Sequence, residues 1–194
     1  DSRRAYREML FTAAGIRDHI SGVILYDETI RQSSSTGTPL TAVLAGQGII
    51  PGIKVDAGLA DLPGCPNEQV TEGLDGLRDR LVEYRSLGAR FAKWRAVYTV
   101  GHALPGSTCV RANAHALARY AALCQEADIV PIVEPEVLMG GEHDIGACEA
   151  ATERVLGQVF AELAANGVVS EGILLKPNMV ISGSGCADQA SAQE

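Results

Sequence analysis

Lysine is almost missing from this chain. Of its 16 basic residues only three are lysines, Lys54, Lys93 and Lys176, and the other 13 are arginines. Other absences set the class of protein. The five cysteines, Cys65, Cys109, Cys124, Cys148 and Cys186, contain no C-x-x-C pair and are odd in number. That pattern suits reduced thiols in the cytoplasm rather than a disulfide framework. No uninterrupted apolar run approaches the roughly 18 residues that a membrane-spanning helix needs, and Asp1-Ser2-Arg3-Arg4 lacks the basic-then-apolar layout of a signal peptide. Basic residues are outnumbered by 24 acidic ones, for a formal net charge of -8, which argues against nucleic acid or an acidic membrane as a partner. A local anion site remains compatible with that balance. His143, flanked by Glu142 and Asp144, has no second histidine at ligand spacing, so it reads as a helix-entry residue and no metal is expected.

What is present is a repeated unit. With 46% apolar residues over 194 positions the chain can bury one substantial core without a staple. Five short apolar runs recur, at Gly22 to Tyr26, Ile49 to Val55, Ala89 to Val97, Ile129 to Val133 and Gly172 to Leu175. Between them helical spacing predicts helices over Thr71 to Leu87, Cys109 to Glu126 and Asp144 to Ala165, with further helices over Arg3 to Ala13 and Leu40 to Ala45. Strand followed by helix at this interval is the pattern of βαβ units around a parallel sheet. No G-x-G-x-x-G or phosphate-binding G-x-x-x-x-G-K-[ST] stands at the first strand-to-helix junctions, which removes support for a nucleotide-binding open sheet. The expected fold is therefore α/β, a TIM (β/α)₈ barrel incomplete in this chain, as one catalytic domain over 1–194 truncated at both ends. The missing initiator Met and the helix-opening pattern Ser191-Ala192-Gln193-Glu194 suit that reading.

The lysines are placed unusually. Surface lysines gather on exposed helix faces, yet all three here fall in or at the ends of predicted strands. A position that keeps lysine in an arginine-rich chain suits a role for an amine that can lose its proton and attack a carbonyl, which a guanidinium does not do. Lys176 precedes Pro177, and Glu134 precedes Pro135, so both are expected at strand ends, where a barrel builds its site. Glu134 and Glu136 share a face at i and i+2, as do Lys93 and Arg95. An amine, paired carboxylates for proton transfer and extra cations for an anionic, phosphorylated substrate suit Schiff-base aldol chemistry. Pro131 is awkward for a central strand.

The segments Gly22-Val23-Ile24-Leu25-Tyr26-Asp27-Glu28-Thr29, Gly52-Ile53-Lys54-Val55-Asp56, Phe91-Ala92-Lys93-Trp94-Arg95, Val130-Pro131-Ile132-Val133-Glu134-Pro135-Glu136 and Leu174-Leu175-Lys176-Pro177-Asn178-Met179 resemble class I fructose-bisphosphate aldolase, in that family's order. The resemblance implies strands two to six of the barrel and reversible cleavage of fructose 1,6-bisphosphate to dihydroxyacetone phosphate and glyceraldehyde 3-phosphate, in glycolysis and gluconeogenesis, with no metal or other cofactor. It implies Lys176 as the Schiff-base lysine, Glu134 as general acid and base with Glu136 beside it, and Lys93 at the reacting carbons. Arg95, Lys54 and Arg3 would bind the substrate, and the full-length protein would be a cytoplasmic homotetramer. Ala57 stands where many members carry a second lysine, so that position adds no cation.

Two other readings stand beside it. Another lysine-imine barrel enzyme, transaldolase-like or deoxyribose-phosphate aldolase-like, is disfavoured by Glu134-x-Glu136 together with Lys93-x-Arg95. A noncatalytic barrel fragment would bind partners through open sheet edges, and little or no turnover is expected of the isolated chain. Trp94 is expected between strand and helix, and Gly183-Ser184-Gly185 as a flexible loop.

Overall fold

The computed structural model describes residues 2–189 and Ser191. Five parallel strands form one sheet in the order β1-β2-β5-β6-β7: β1 (Gly22–Leu25), β2 (Ile50–Lys54), β5 (Phe91–Tyr98), β6 (Val130–Val137) and β7 (Leu174–Leu175). The helices are α1 (Ser2–Phe11), α2 (Asp27–Ile30), α3 (Leu40–Ala45), α4 (Leu77–Ser86), α5 (Ser107–Glu126) and α6 (Ile145–Ala165). A two-stranded antiparallel hairpin, β3 (Gly58–Asp61) and β4 (Gln69–Glu72), is inserted after β2. These are consecutive βα units of an incomplete (β/α)₈ barrel.

Alternation along the strands divides the sheet into two faces. Ala92, Trp94, Ala96, Val133 and Val137 are buried beneath α5 and α6, among Leu117, Tyr120, Val155 and Val159. Trp94 stacks on Tyr120 with ring centroids 5.5 Å apart. The Tyr120 hydroxyl donates to the carbonyls of Ala92, at 2.7 Å, and Ile132, at 3.2 Å, tying β5 to β6 from behind. The opposite face carries Ile24, Ile50, Lys54, Lys93, Arg95, Glu134 and Glu136 and is partly open. At its floor the Phe91 ring lies over Gly52, where an added Cβ would come within 2.3 Å of the ring.

Trp94 is fully buried, and its indole Nε1 has no hydrogen-bond partner among the described residues. Trp94→Ala is therefore expected to cost about 3–5 kcal/mol. Trp94→Phe keeps an aromatic partner for Tyr120 and removes the unmet donor, so it should cost much less. Urea midpoints of the three chains check this, and equal losses for both substitutions would refute it.

Three expectations need correction. Thr71 to Leu87 is not one helix: Gln69–Glu72 is a strand, and the helix begins at Leu77. Gly73 (φ 123°) and Gly76 (φ 63°) take positive backbone angles that break the helical path. The hairpin's far edge is held by buried Asn113 of α5, whose amide accepts from Thr71 N–H at 3.2 Å and donates to the Gln69 carbonyl at 2.8 Å. The strand expected to stop at Val133 runs on to Val137, through Pro131 and Pro135. Val130 and Leu138 donate to the carbonyls of Arg90, just before β5, and Tyr98, at its end, so alternation turns the odd positions toward β7, which pairs only with Ile132 and Val133. Each proline's missing N–H thus falls where the ladder is short or absent. The Gly183-Ser184-Gly185 loop is docked: its three N–H groups donate to the carbonyls of His143, Met139 and Gly141.

The end of β1 is fastened by charge. Asp27, the first residue of α2, accepts from Arg31 at 2.9 Å and from the Tyr84 hydroxyl of α4 at 2.9 Å. The Arg31 hydrogen bond, opposed by partial desolvation and helped by Tyr84, holds the Asp27 carboxyl below its ordinary value. A lowered folded value means stability that is present above the unfolded value, about 3.9, and lost as pH falls through the folded one. Asp27→Asn should therefore flatten the loss of stability between pH 5 and pH 3, read as urea midpoints at the two pH values. An undiminished loss in the variant would show that other groups carry it.

Candidate active site

The strand register sets the site before any side chain is considered. Lys54 of β2 lies level with Lys93 of β5, and Arg95 of β5 level with Glu134 of β6. Lys176 follows β7 directly, and its N–H donates to the Val133 carbonyl at 2.9 Å. Asn178 fixes the same segment from the other end. Its Oδ1 accepts from the Val137 N–H at 3.1 Å, and its Nδ2 donates to Thr152 Oγ1 of α6 at 3.1 Å. Asn178 thus supplies an acceptor where β7 no longer runs beside β6.

Glu134 is the centre of the arrangement. Its side chain is 4% exposed, and its two oxygens face two different lysines. Lys176 Nζ donates to Oε1 at 2.7 Å. Lys93 Nζ lies 2.9 Å from Oε2 as an ion pair that is close but not aligned as a hydrogen bond. A buried carboxylate is costly unless compensated, and here two ammonium groups compensate one anion. Lys176 is 61% exposed and Lys93 19% exposed, so Lys176 is the amine with room to meet a carbonyl. Glu136 pairs with Arg95 Nε, and Asp56 pairs with Lys54 Nζ.

Lys54, Asp56, Lys93 and Arg95 line one cavity of about 410 Å³, whose apolar wall is Ile24, Tyr26 and Leu59. A larger hollow of about 720 Å³ lies by Asp27, Arg80 and Tyr84. Arg80 there is spent on the carbonyls of Val55, at 3.0 Å, and Gly73, so size does not single it out as a reaction site.

Six of the seven residues singled out in the sequence thus lie on the open face, in three separate charged groups: Lys93 and Lys176 on Glu134, Arg95 on Glu136, and Lys54 on Asp56. Arg3 does not join them: it stands on α1, 77% exposed, 3.8 Å from Glu28. The hairpin wall, Asp56 and Asn178 were not singled out. Asp56 carried a usable signal, the same i and i+2 spacing from Lys54 that drew notice to Lys93-x-Arg95 and Glu134-x-Glu136. Among the described residues no group of three or more His, Cys, Asp or Glu side chains is arranged to hold a metal.

Comparison with known proteins shows the family. The family model described as fructose-bisphosphate aldolase class-I matches residues 1–194. A probable fructose-bisphosphate aldolase class 1 of Xanthomonas campestris is 59% identical over the whole chain. A cytosolic fructose-bisphosphate aldolase of Arabidopsis thaliana is 52% identical over 97% of it. The chain spans 58% and 53% of the lengths of these two relatives. Among solved structures, a fructose-bisphosphate aldolase of Plasmodium falciparum, in complex with TRAP and a small-molecule inhibitor, superposes with a TM-score of 0.95 at 47% identity. That match covers 98% of this chain and 56% of the other.

Proposed function

The chain belongs to the class I fructose-bisphosphate aldolase family, and on that premise we propose that it carries the imine-forming machinery for reversible cleavage of fructose 1,6-bisphosphate to dihydroxyacetone phosphate and glyceraldehyde 3-phosphate. The observation that carries this reading is Glu134, one buried carboxylate shared between an exposed and a half-buried lysine.

In the forward direction Lys176 gives a proton to Glu134 and its free amine adds to the ketone carbon; a proton passes from nitrogen to oxygen to form the carbinolamine, which loses water as Glu134 returns its proton to the departing hydroxyl. The iminium then accepts the electron pair of the breaking carbon–carbon bond while a base takes the proton of the adjacent hydroxyl, releasing the aldehyde. Protonation of the enamine and return of water free the ketone and restore Lys176. Lys93, on the second oxygen of Glu134, stands beside the reacting carbons. Lys54 and Arg95 stand at the cavity for the substrate's anionic groups, with Glu136 holding Arg95.

Two further readings belong to the full-length protein. We place it in the cytoplasm, as the names of two Arabidopsis relatives say of those proteins, and as a homotetramer, which light scattering checks. No helix among the described residues is long and apolar enough to cross a membrane. The test of the activity is borohydride reduction in the presence of fructose 1,6-bisphosphate, followed by peptide mapping. The expected product is a stable adduct on Lys176.

A further inference from the structure

Besides Glu134, the site holds a second buried carboxylate. Asp56 has a side chain only 5% exposed, on the backbone that leaves β2 two residues beyond Lys54. It grips the Lys54 ammonium twice, through Oδ1 and through its own backbone carbonyl, which accepts at 3.2 Å. Its other oxygen, Oδ2, is buried with no hydrogen-bond partner among the described residues. A carboxylate left half satisfied away from water is costly, and a group kept at that cost calls for a reason, of which a functional role is one. Lys54 is otherwise a long, flexible side chain, 27% exposed at the edge of the cavity. A flexible ammonium binds an anion poorly because its rotamers must be frozen on binding, and anchoring it beforehand removes that loss.

We infer that Asp56 is a positioning residue, which fixes the Lys54 ammonium at the cavity for a phosphate group of the substrate and takes no part in imine formation at Lys176. The inference rests on the aldolase reading and adds a division of labour to it. Asp56 and Lys54 serve the anionic group, whereas Glu134 and Lys176 serve the carbonyl. Both pairs sit on one sheet face, yet among the described residues no hydrogen bond or ion pair joins Asp56 or Lys54 to Glu134 or Lys176.

Borohydride trapping on Lys176 tests this with two ketones, fructose 1,6-bisphosphate and dihydroxyacetone, which has no phosphate. Asp56→Asn should raise the half-saturating concentration for the bisphosphate by about tenfold, as for loss of one charge-assisted contact, and leave that for dihydroxyacetone unchanged. Asp56→Glu should restore part of the loss. In a Lys54→Met background Asp56→Asn should add nothing, because the residue acts through Lys54. A shift of equal size with both ketones, or full additivity with Lys54→Met, would mean a merely structural role and overturn the inference. So would no shift with either. Absence of any adduct in the unsubstituted full-length protein with both ketones would overturn the aldolase reading itself, and this inference with it.

Discussion

Lys176→Arg is expected to reduce borohydride-stable adduct formation with fructose 1,6-bisphosphate to background, while Lys93→Arg leaves the adduct in place at Lys176. Arginine preserves the positive charge facing Glu134 Oε1, now met by Lys176 Nζ at 2.7 Å. The buried carboxylate therefore keeps a counter-ion and the fold should persist. What arginine cannot supply is an amine that gives up its proton and bonds to carbon. The two lysines on Glu134 are told apart by their surroundings. Lys176 is 61% exposed on a segment that has left the sheet, whereas Lys93 is 19% exposed within the eight-residue strand β5. A ketone can reach the first without displacing neighbours. Recovery of an adduct from Lys176→Arg in undiminished yield, mapped to Lys93, would reverse the assignment of the nucleophile.

The sequence made the strands and the charged rows legible because both obey simple periods. Lys93-x-Arg95 and Glu134-x-Glu136 share faces by alternation alone, and the short helix expected over Leu40 to Ala45 has those bounds in the structure. What escaped notice depends on contacts between distant residues. The β3–β4 hairpin was hidden because Thr71 and Leu74 continue the stripe of Leu77, Leu81 and Tyr84, and periodicity cannot register that Thr71 is claimed by Asn113, 42 residues away, and by the Arg95 carbonyl at 2.7 Å. The continuation of β6 through two prolines was hidden for a related reason. A proline is tolerated in a strand according to which neighbour its missing N–H would face, and that is a property of the sheet rather than the segment. Arg3 differs from the other six residues in its place. The family resemblance suggested a substrate role, and no local pattern could show that its helix would place it on Glu28 instead of among the site's other cations.

Glu134→Gln should slow imine formation at Lys176 by roughly 10²–10⁴-fold, the usual contribution of a positioned general acid and base. The amide has nearly the shape of the carboxylate and still offers one acceptor oxygen to Lys176, but it can neither take up a proton nor release one. Two effects oppose each other in the variant's stability. Losing the anion leaves the Lys93 ammonium, 19% exposed, without its counter-ion, which for a fully buried pair costs about 3–5 kcal/mol. Removing the charge also ends the desolvation of a carboxylate that is 4% exposed. Because Lys93 retains some solvent and Lys176 much more, the net change in folding should stay well below that range, so the kinetic loss should greatly exceed any loss of folded protein. Trapping rates with dihydroxyacetone phosphate, measured beside the urea midpoints of both chains, separate the two. A rate within tenfold of the parent's in a fully folded variant would remove Glu134 from the chemistry and leave it as the counter-ion of two lysines.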